Sequence, residues 1–80
     1  MVKVKVRLYS SLRKYRNDLP VGAPIEVKLE QGSDIAKLMA ILGIAPDEVA
    51  FASINGQMQD KGYTLQNDDE VNLFGPLAGG

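Results

Sequence analysis

One segment of this 80-residue chain has the apolar spacing of an amphipathic helix, and it lies between segments whose apolar residues alternate. Its apolar side chains follow the pattern i, i+3, i+4, i+7, at Ile35, Leu38, Met39 and Leu42. Ser33 or Asp34 can cap the start, and Gly43 is the residue expected just after the end. We therefore predict a helix over about residues 33–42 whose apolar side packs against a sheet.

Alternating apolar and polar residues predict the strands of that sheet. The predicted strands cover residues 2–8, 25–29, 51–54, 57–59 and 70–74. Asn55-Gly56 joins the third strand to the fourth and strongly favours a two-residue hairpin turn. Residues 10–16 and 46–48 are predicted as short helical turns. The resulting order, β-β-α-β-β-β, is that of an α+β protein with the ubiquitin-like β-grasp fold, in which the first and last strands lie side by side and parallel.

We predict one domain over residues 1–74, with a mixed sheet of four or five strands, and a flexible C-terminal tail over residues 75–80. Strand parity and the helix pattern give the core: Val2, Val4, Val6, Leu8, Ile25, Val27, Leu29, Ile35, Leu38, Met39, Leu42, Ile54, Leu65, Val71 and Leu73. A domain of this size has a single small core, so each of these side chains carries a large share of the stability.

The composition excludes several kinds of reactive site. The chain has no cysteine and no histidine, so it lacks a thiol nucleophile, the commonest general base and the commonest metal ligands. We predict no bound metal and no cofactor held by the chain itself. No apolar run is long enough to span a bilayer and no signal-peptide pattern is present, so we expect a cytoplasmic protein without a membrane partner.

Charge is distributed unevenly along the chain. Residues 1–16 contain six of the nine cationic side chains and none of the acidic ones. The first three cations alternate with apolar residues and therefore form the solvent side of a strand, where cross-strand carboxylates can pair with them. We expect no nucleic-acid partner, and we interpret the acidic run 68–70 as a solvated turn.

The sequence finishes with Gly79-Gly80, which follow the last predicted strand and the segment Gly75-Pro76-Leu77-Ala78. Glycine has no Cβ, so such a tail is slim and offers only its terminal carboxylate for chemistry. This suits a carboxylate that enters the active site of another protein. We therefore predict that the carboxylate of Gly80 is the reactive group and that residues 75–79 deliver it.

Four segments resemble the small sulfur-carrier family, the MoaD/ThiS group. Residues 6–13 (VRLYSSLR) resemble its opening strand followed by an aromatic residue, a small residue and Leu-Arg. Residues 54–56 (ING) are similar to its V-N-G hairpin, residues 65–71 (LQNDDEV) to its L-x-D-G-D-E-V segment, and residues 74–80 (FGPLAGG) to its F-P-P-V-x-G-G end. The four matches occur in the family's order over nearly the whole chain, and together they most resemble the small subunit of molybdopterin synthase.

This chain departs from the family pattern at two places. Asn67-Asp68 stands where the family has an Asp-Gly turn, and both residues tolerate the left-handed conformation that such a turn needs. Gly75 stands where the family has the first proline of its tail. Because proline fixes φ and glycine does not, we expect this exchange to loosen the base of the tail.

The resemblance implies a sulfur-carrier function. An adenylating enzyme related to ubiquitin-activating enzymes (MoeB/ThiF type) would use ATP and Mg²⁺ to activate Gly80, a sulfur donor would convert it to a thiocarboxylate, and a large synthase subunit (MoaE type) would receive it. The chain would be a non-catalytic, sulfur-donating subunit of this transferase. Two alternatives stay open, namely sulfur transfer for thiamin thiazole synthesis and conjugation to target lysines as a ubiquitin-like modifier.

Strand parity indicates where such partners would bind. If the first strand continues to Tyr9, this side chain points outward, as does Phe74 in the last strand. Met58, just past the hairpin turn, can join them. Exposed aromatic and methionine side chains mark interfaces, and the resemblance implies that this sheet face binds partners. We predict Tyr9, Met58 and Phe74 as partner-binding residues.

Overall fold

The computed structural model describes residues 1–16, 18, 20 and 22–76. It contains the strands β1 (Val2–Tyr9), β2 (Ile25–Leu29), β3 (Phe51–Ile54), β4 (Gln57–Gln59) and β5 (Glu70–Phe74), the helix α1 (Ile35–Leu42), and two 3₁₀ helices at Ser10–Arg16 and Pro46–Glu48. The element order is the predicted one.

The five strands form one mixed sheet in the order β2-β1-β5-β3-β4. The central pair, β1 and β5, is parallel, and the three other pairs are antiparallel. A parallel pair requires a crossover rather than a hairpin, and α1 lies in the segment that makes this crossover. The predicted β-grasp arrangement is therefore confirmed, with five strands.

Both ends of α1 have the predicted kind of cap. Asp34 is the N-cap residue, and its Oδ1 accepts a hydrogen bond of 2.8 Å from the backbone N–H of Lys37. Gly43 follows the helix at φ 76°, in the left-handed region, and its N–H bonds to carbonyl oxygens of the last turn. Of the two candidate caps, the structure selects Asp34.

The core lies between α1 and one face of the sheet, and most of the predicted core residues are buried. Ile25 and Leu42 are only partly buried, because one opens an edge strand and the other closes the last helical turn. Four further apolar residues complete the core: Leu12, Ile44, Val49 and Ala52. Leu12 is fully buried, so the first 3₁₀ helix is anchored to the domain.

The acidic run before β5 is not uniformly solvated, contrary to our interpretation. Asp69 is only 5% exposed, and it accepts hydrogen bonds from Asn55 Nδ2 (2.9 Å) and from the backbone N–H of Gln66 (2.8 Å). Asn55 Oδ1 in turn accepts from the backbone N–H of Glu70 at 2.9 Å. These bonds tie the Asn55-Gly56 turn, with φ of 51° and 89°, to the start of β5. Asp68, at φ 70°, occupies the left-handed position that the sequence predicted.

In the described part of the chain, no helix has the length and apolar character needed to cross a membrane.

Candidate functional site: an aromatic platform at the base of the tail

Three aromatic rings form a continuous stack on the sheet face that points away from α1. The ring of Phe74 lies between Tyr9, with centroids 5.0 Å apart, and Phe51, with centroids 4.5 Å apart. The planes within each pair differ by 13° and 17°, so all three rings are nearly parallel. We call Tyr9, Phe51 and Phe74 the aromatic platform.

Sheet register produces this stack. Tyr9 pairs with Phe74 across β1 and β5, and Phe74 pairs with Phe51 across β5 and β3. Residues opposite one another on neighbouring strands point to the same side. The predicted closeness of Tyr9 and Phe74 on the outward face thus agrees with the geometry, while their role in partner binding stays a prediction.

The sequence reasoning missed Phe51. The sequence contained the signal: Ala52 and Ile54 point into the core, so Phe51, which alternates with them along the strand, must point outward. Finding it also required the order of strands, because Phe51 joins the platform only when β3 neighbours β5. Three of the chain's five aromatic residues therefore gather at one point of the sheet.

Met58 lies on the same face, one row away from the platform. It opposes Ser53 in β3, and Ser53 opposes Asn72 in β5, whose Nδ2 donates to Ser53 Oγ at 3.3 Å. Its side chain is 69% exposed, which makes it one of the most exposed large apolar residues in the described part of the chain. This exposure fits the prediction that Met58 takes part in an interface.

Phe74 is half-buried, which corrects the expectation that it is exposed in the free protein. The two flanking rings cover its faces, so it contributes to folding as well as presenting apolar surface.

Gly75 leads from β5 into the tail and is itself buried. Its backbone N–H donates to the carbonyl oxygen of Tyr9 at 3.4 Å. A Cβ at this position would clash with Ser11 Oγ and lie 3.2 Å from Ser11 N. Glycine therefore allows close packing here, where we expected a loosened joint, and the predicted tail begins with a residue that belongs to the packed domain. Pro76 is exposed, and the predicted tail residues Leu77, Ala78, Gly79 and Gly80 lie outside the described residues.

A polar cluster joins the two 3₁₀ helices beside this region. Glu48 accepts hydrogen bonds from Lys14 Nζ (2.8 Å) and Tyr15 Oη (2.5 Å). These bonds lower the pKa of the Glu48 carboxyl, and they raise the pKa of Lys14 and of the Tyr15 phenol. The cluster holds an ionised carboxylate between two donors, so its evident role is to fix the β1–β2 connection.

The described residues contain no group of three or more carboxylate side chains that could hold a metal ion, and none of their buried polar side-chain atoms lacks a hydrogen-bond partner. What the geometry offers is an apolar surface directly before the predicted tail.

The family model described as the ThiS family matches residues 6–80 of the chain. The search of curated proteins found no match to this chain. Among solved structures, the chain is similar to a putative molybdopterin converting factor subunit 1 from Pyrococcus furiosus, with a TM-score of 0.72 at 20% identity, covering 96% of this chain and 100% of that one.

Two further structures have the same fold. Small archaeal modifier protein 1 of Haloferax volcanii superimposes with a TM-score of 0.74 at 15% identity, covering 96% of this chain and 100% of that one. A complex of subunits 1 and 2 of the molybdopterin-converting factor from Helicobacter pylori gives a TM-score of 0.62 at 21% identity, covering 99% of this chain and 100% of that one. These similarities establish the ubiquitin-like β-grasp fold.

Proposed function

Because this chain belongs to the ThiS family, which its residues 6–80 match, we propose that it carries sulfur as a thiocarboxylate on Gly80. We propose further that it donates this sulfur in molybdopterin synthesis, as the small subunit of the synthase, and that it acts in the cytoplasm. The observation that carries the proposal is the aromatic platform, whose central residue, Phe74, immediately precedes the tail.

The proposed chemistry starts at the carboxylate of Gly80. A carboxylate is a poor electrophile until one oxygen becomes part of a good leaving group. The adenylating partner (MoeB/ThiF type) binds ATP and Mg²⁺, a carboxylate oxygen attacks the α-phosphorus, and pyrophosphate leaves. Hydrosulfide from the donor then attacks the acyl carbon, the bond to AMP breaks and AMP leaves with its oxygen, so that the terminal oxygen is replaced by sulfur and one proton is released from the resulting thioacid.

This chain's own contribution is recognition and delivery. The platform offers a rigid apolar surface with which a large subunit (MoaE type) can bind, and packed aromatic anchors are common centres of protein interfaces. Gly75 packs on Ser11 and thereby sets where the tail leaves the sheet. Docking on the platform and insertion of the tail are then two parts of one binding event.

The β1–β2 connection favours the molybdopterin branch over the thiamin branch. It contains the 3₁₀ helix Ser10–Arg16, its Leu12 is fully buried, and Tyr15 is bonded to Glu48. The described part of this connection is therefore packed on the domain, and the family resemblance implies a shorter connection in thiamin carriers.

The intact mass of the protein isolated from its native host tests the proposal. The thiocarboxylate form is heavier than the carboxylate form by the difference between one sulfur and one oxygen atom, and the protein lacking Gly80 is the matched control. We expect the heavier form only with the full tail. Its absence under conditions in which molybdopterin is being made would contradict the proposal.

The same activated carboxylate would serve either alternative. Conjugates of higher mass in host cells that disappear when Gly80 is deleted would favour the modifier function; the similar Haloferax volcanii protein is named a small archaeal modifier protein. Restoration of thiazole synthesis, and not of molybdopterin synthesis, in a host lacking both carriers would favour the thiamin branch.

A further inference from the structure

The outward sheet face is positively charged although the chain is not. Six of the charged side chains belong to its strand positions: Lys3, Lys5, Arg7, Glu26, Lys28 and Glu70. These four cations and two anions give the face a net charge of +2, whereas the five cations and eight anions on the rest of the chain give −3. The strand positions of this face are therefore cationic in a chain whose overall charge is −1.

The two glutamates of the face are already engaged. Glu26 pairs with Lys3 at 3.8 Å, and Glu70 pairs with Arg7 at 3.0 Å. Lys5 and Lys28 are both exposed, and neither lies within 4.0 Å of a carboxylate of the described residues. Lys5 pairs in register with Glu26 on one side and with Glu70 on the other, whereas Lys28 pairs in register with Lys3, so the unneutralised positive charge of the face is centred on Lys28.

These lysines are continuous with the aromatic platform. Along β1 the outward residues are Lys3, Lys5, Arg7 and finally Tyr9, so the face changes from cationic to aromatic toward the tail. One surface therefore has an apolar end beside the tail and a cationic end farther from it.

We infer that the protein partner that docks on this face presents acidic side chains opposite its lysines, centred on Lys28, beside an apolar socket for the aromatic platform. The inference rests on the proposed function for the existence of that partner. The net charge of −1 by itself would cause repulsion from an acidic partner. The cationic strand positions reverse this when the outward face of the sheet approaches the partner first. Charge separation of this kind orients proteins during encounter and raises the association rate.

A cationic sheet face with aromatic side chains also occurs in proteins that bind single-stranded nucleic acids, where bases stack on the rings. Here the rings stack on each other, so both faces of the Phe74 ring are occupied by its neighbours. Two of the four cations are already paired with glutamates. These contacts favour an acidic protein surface.

The experiment compares Lys28→Glu with Lys37→Glu in stopped-flow association with the large synthase subunit from the same genome. Both substitutions change the net charge equally, but Lys37 is exposed on α1, on the other side of the sheet. Lys28 opposes Lys3 across β1 and β2, so a glutamate there gains a cationic neighbour, and we expect the fold to persist by circular dichroism.

At low salt, about 0.01 M, charges act over roughly 30 Å, and we expect Lys28→Glu to slow association about 3- to 10-fold while Lys37→Glu does not. The difference should vanish near 1 M salt, where screening reduces this range to about 3 Å. Equal rates for the two variants beside normal wild-type binding would overturn this inference alone. Failure of the wild-type protein to bind would refute the proposed function and the inference with it. Tight binding of an oligo(dT) strand that Lys28→Glu abolishes would overturn the inference in favour of a nucleic-acid partner.

Discussion

Replacing Phe74 by alanine should affect folding and partner binding separately, and both effects follow from the platform. The substitution removes two stacked pairs, each contributing about 0.5–1.5 kcal/mol beyond the buried area. Loss of a half-buried side chain adds about 1 kcal/mol. We therefore expect the free energy of unfolding to fall by about 2–4 kcal/mol, which corresponds to a Tm lower by about 10–30 °C.

Phe51→Ala is the matched control, because it removes only one of the two pairs and leaves Tyr9 and Phe74 stacked. The chain has no tryptophan, so urea titration followed by circular dichroism is the suitable measurement. The double-mutant cycle should give a coupling of about 0.5–1.5 kcal/mol between Phe51 and Phe74. A coupling near zero would show that the stacking adds nothing to the buried area.

Binding is measured by titration calorimetry at a temperature at which the variant is still folded. Phe74→Ala should weaken association with the large subunit by about 1–3 kcal/mol, as for a central aromatic anchor. If the variant unfolds at lower temperature but binds normally once folded, Phe74 stabilises the domain and does not contact the partner.

Three further predictions concern the core, the loss of stability at acid pH and the tail. Leu38→Ala should lower the free energy of unfolding by about 2–5 kcal/mol in denaturant titrations, because Leu38 is fully buried; a change below about 1 kcal/mol would place it outside the core. Since Lys14 holds the pKa of Glu48 below its ordinary value, the ionised form stabilises the fold above about pH 4.3, and this contribution is lost as the pH falls through the folded-state pKa. Glu48→Gln should therefore show a shallower loss of stability between about pH 6 and pH 3 in urea melts, and an unchanged slope would contradict this role. Deleting Gly80 should leave the melting curve unchanged and abolish ATP–pyrophosphate exchange by the adenylating enzyme; exchange at the wild-type rate would show that the carboxylate is not the reacting group.

Local patterns predicted the elements because each has a strong signal of its own. Alternation alone predicted β2 and β5 with the bounds seen in the structure, and the Asn55-Gly56 pair predicted the β3–β4 hairpin. The helix end followed from the stop at Gly43, while the helix begins after its cap at Asp34, two residues later than the predicted start at about residue 33. Such signals involve residues close together in sequence, so they can be interpreted without knowing the tertiary arrangement.

Contacts between distant segments were less predictable. Phe51 joins the platform only through the neighbouring positions of β3 and β5. Nothing near Asp69 in sequence indicates the amide of Asn55 that binds it, so the local pattern predicted a solvated turn. The local pattern likewise predicted a flexible joint at Gly75. A glycine in a tail and a glycine required by close packing have the same sequence signal, and only the contact with Ser11 distinguishes them.

The close packing of Gly75 against Ser11 also limits how far the active site of a partner can lie from the domain. Gly75 is held to the domain by the bond from its N–H to the carbonyl oxygen of Tyr9, and five residues, 76–80, separate it from the proposed reacting carboxylate. Fully extended, five residues reach about 17–18 Å. If Gly80 carries the reacting carboxylate, as proposed, the active site of a partner must lie within this radius of Gly75. The proposal therefore predicts that the docking surface and the active site of a partner are separated by no more than this distance.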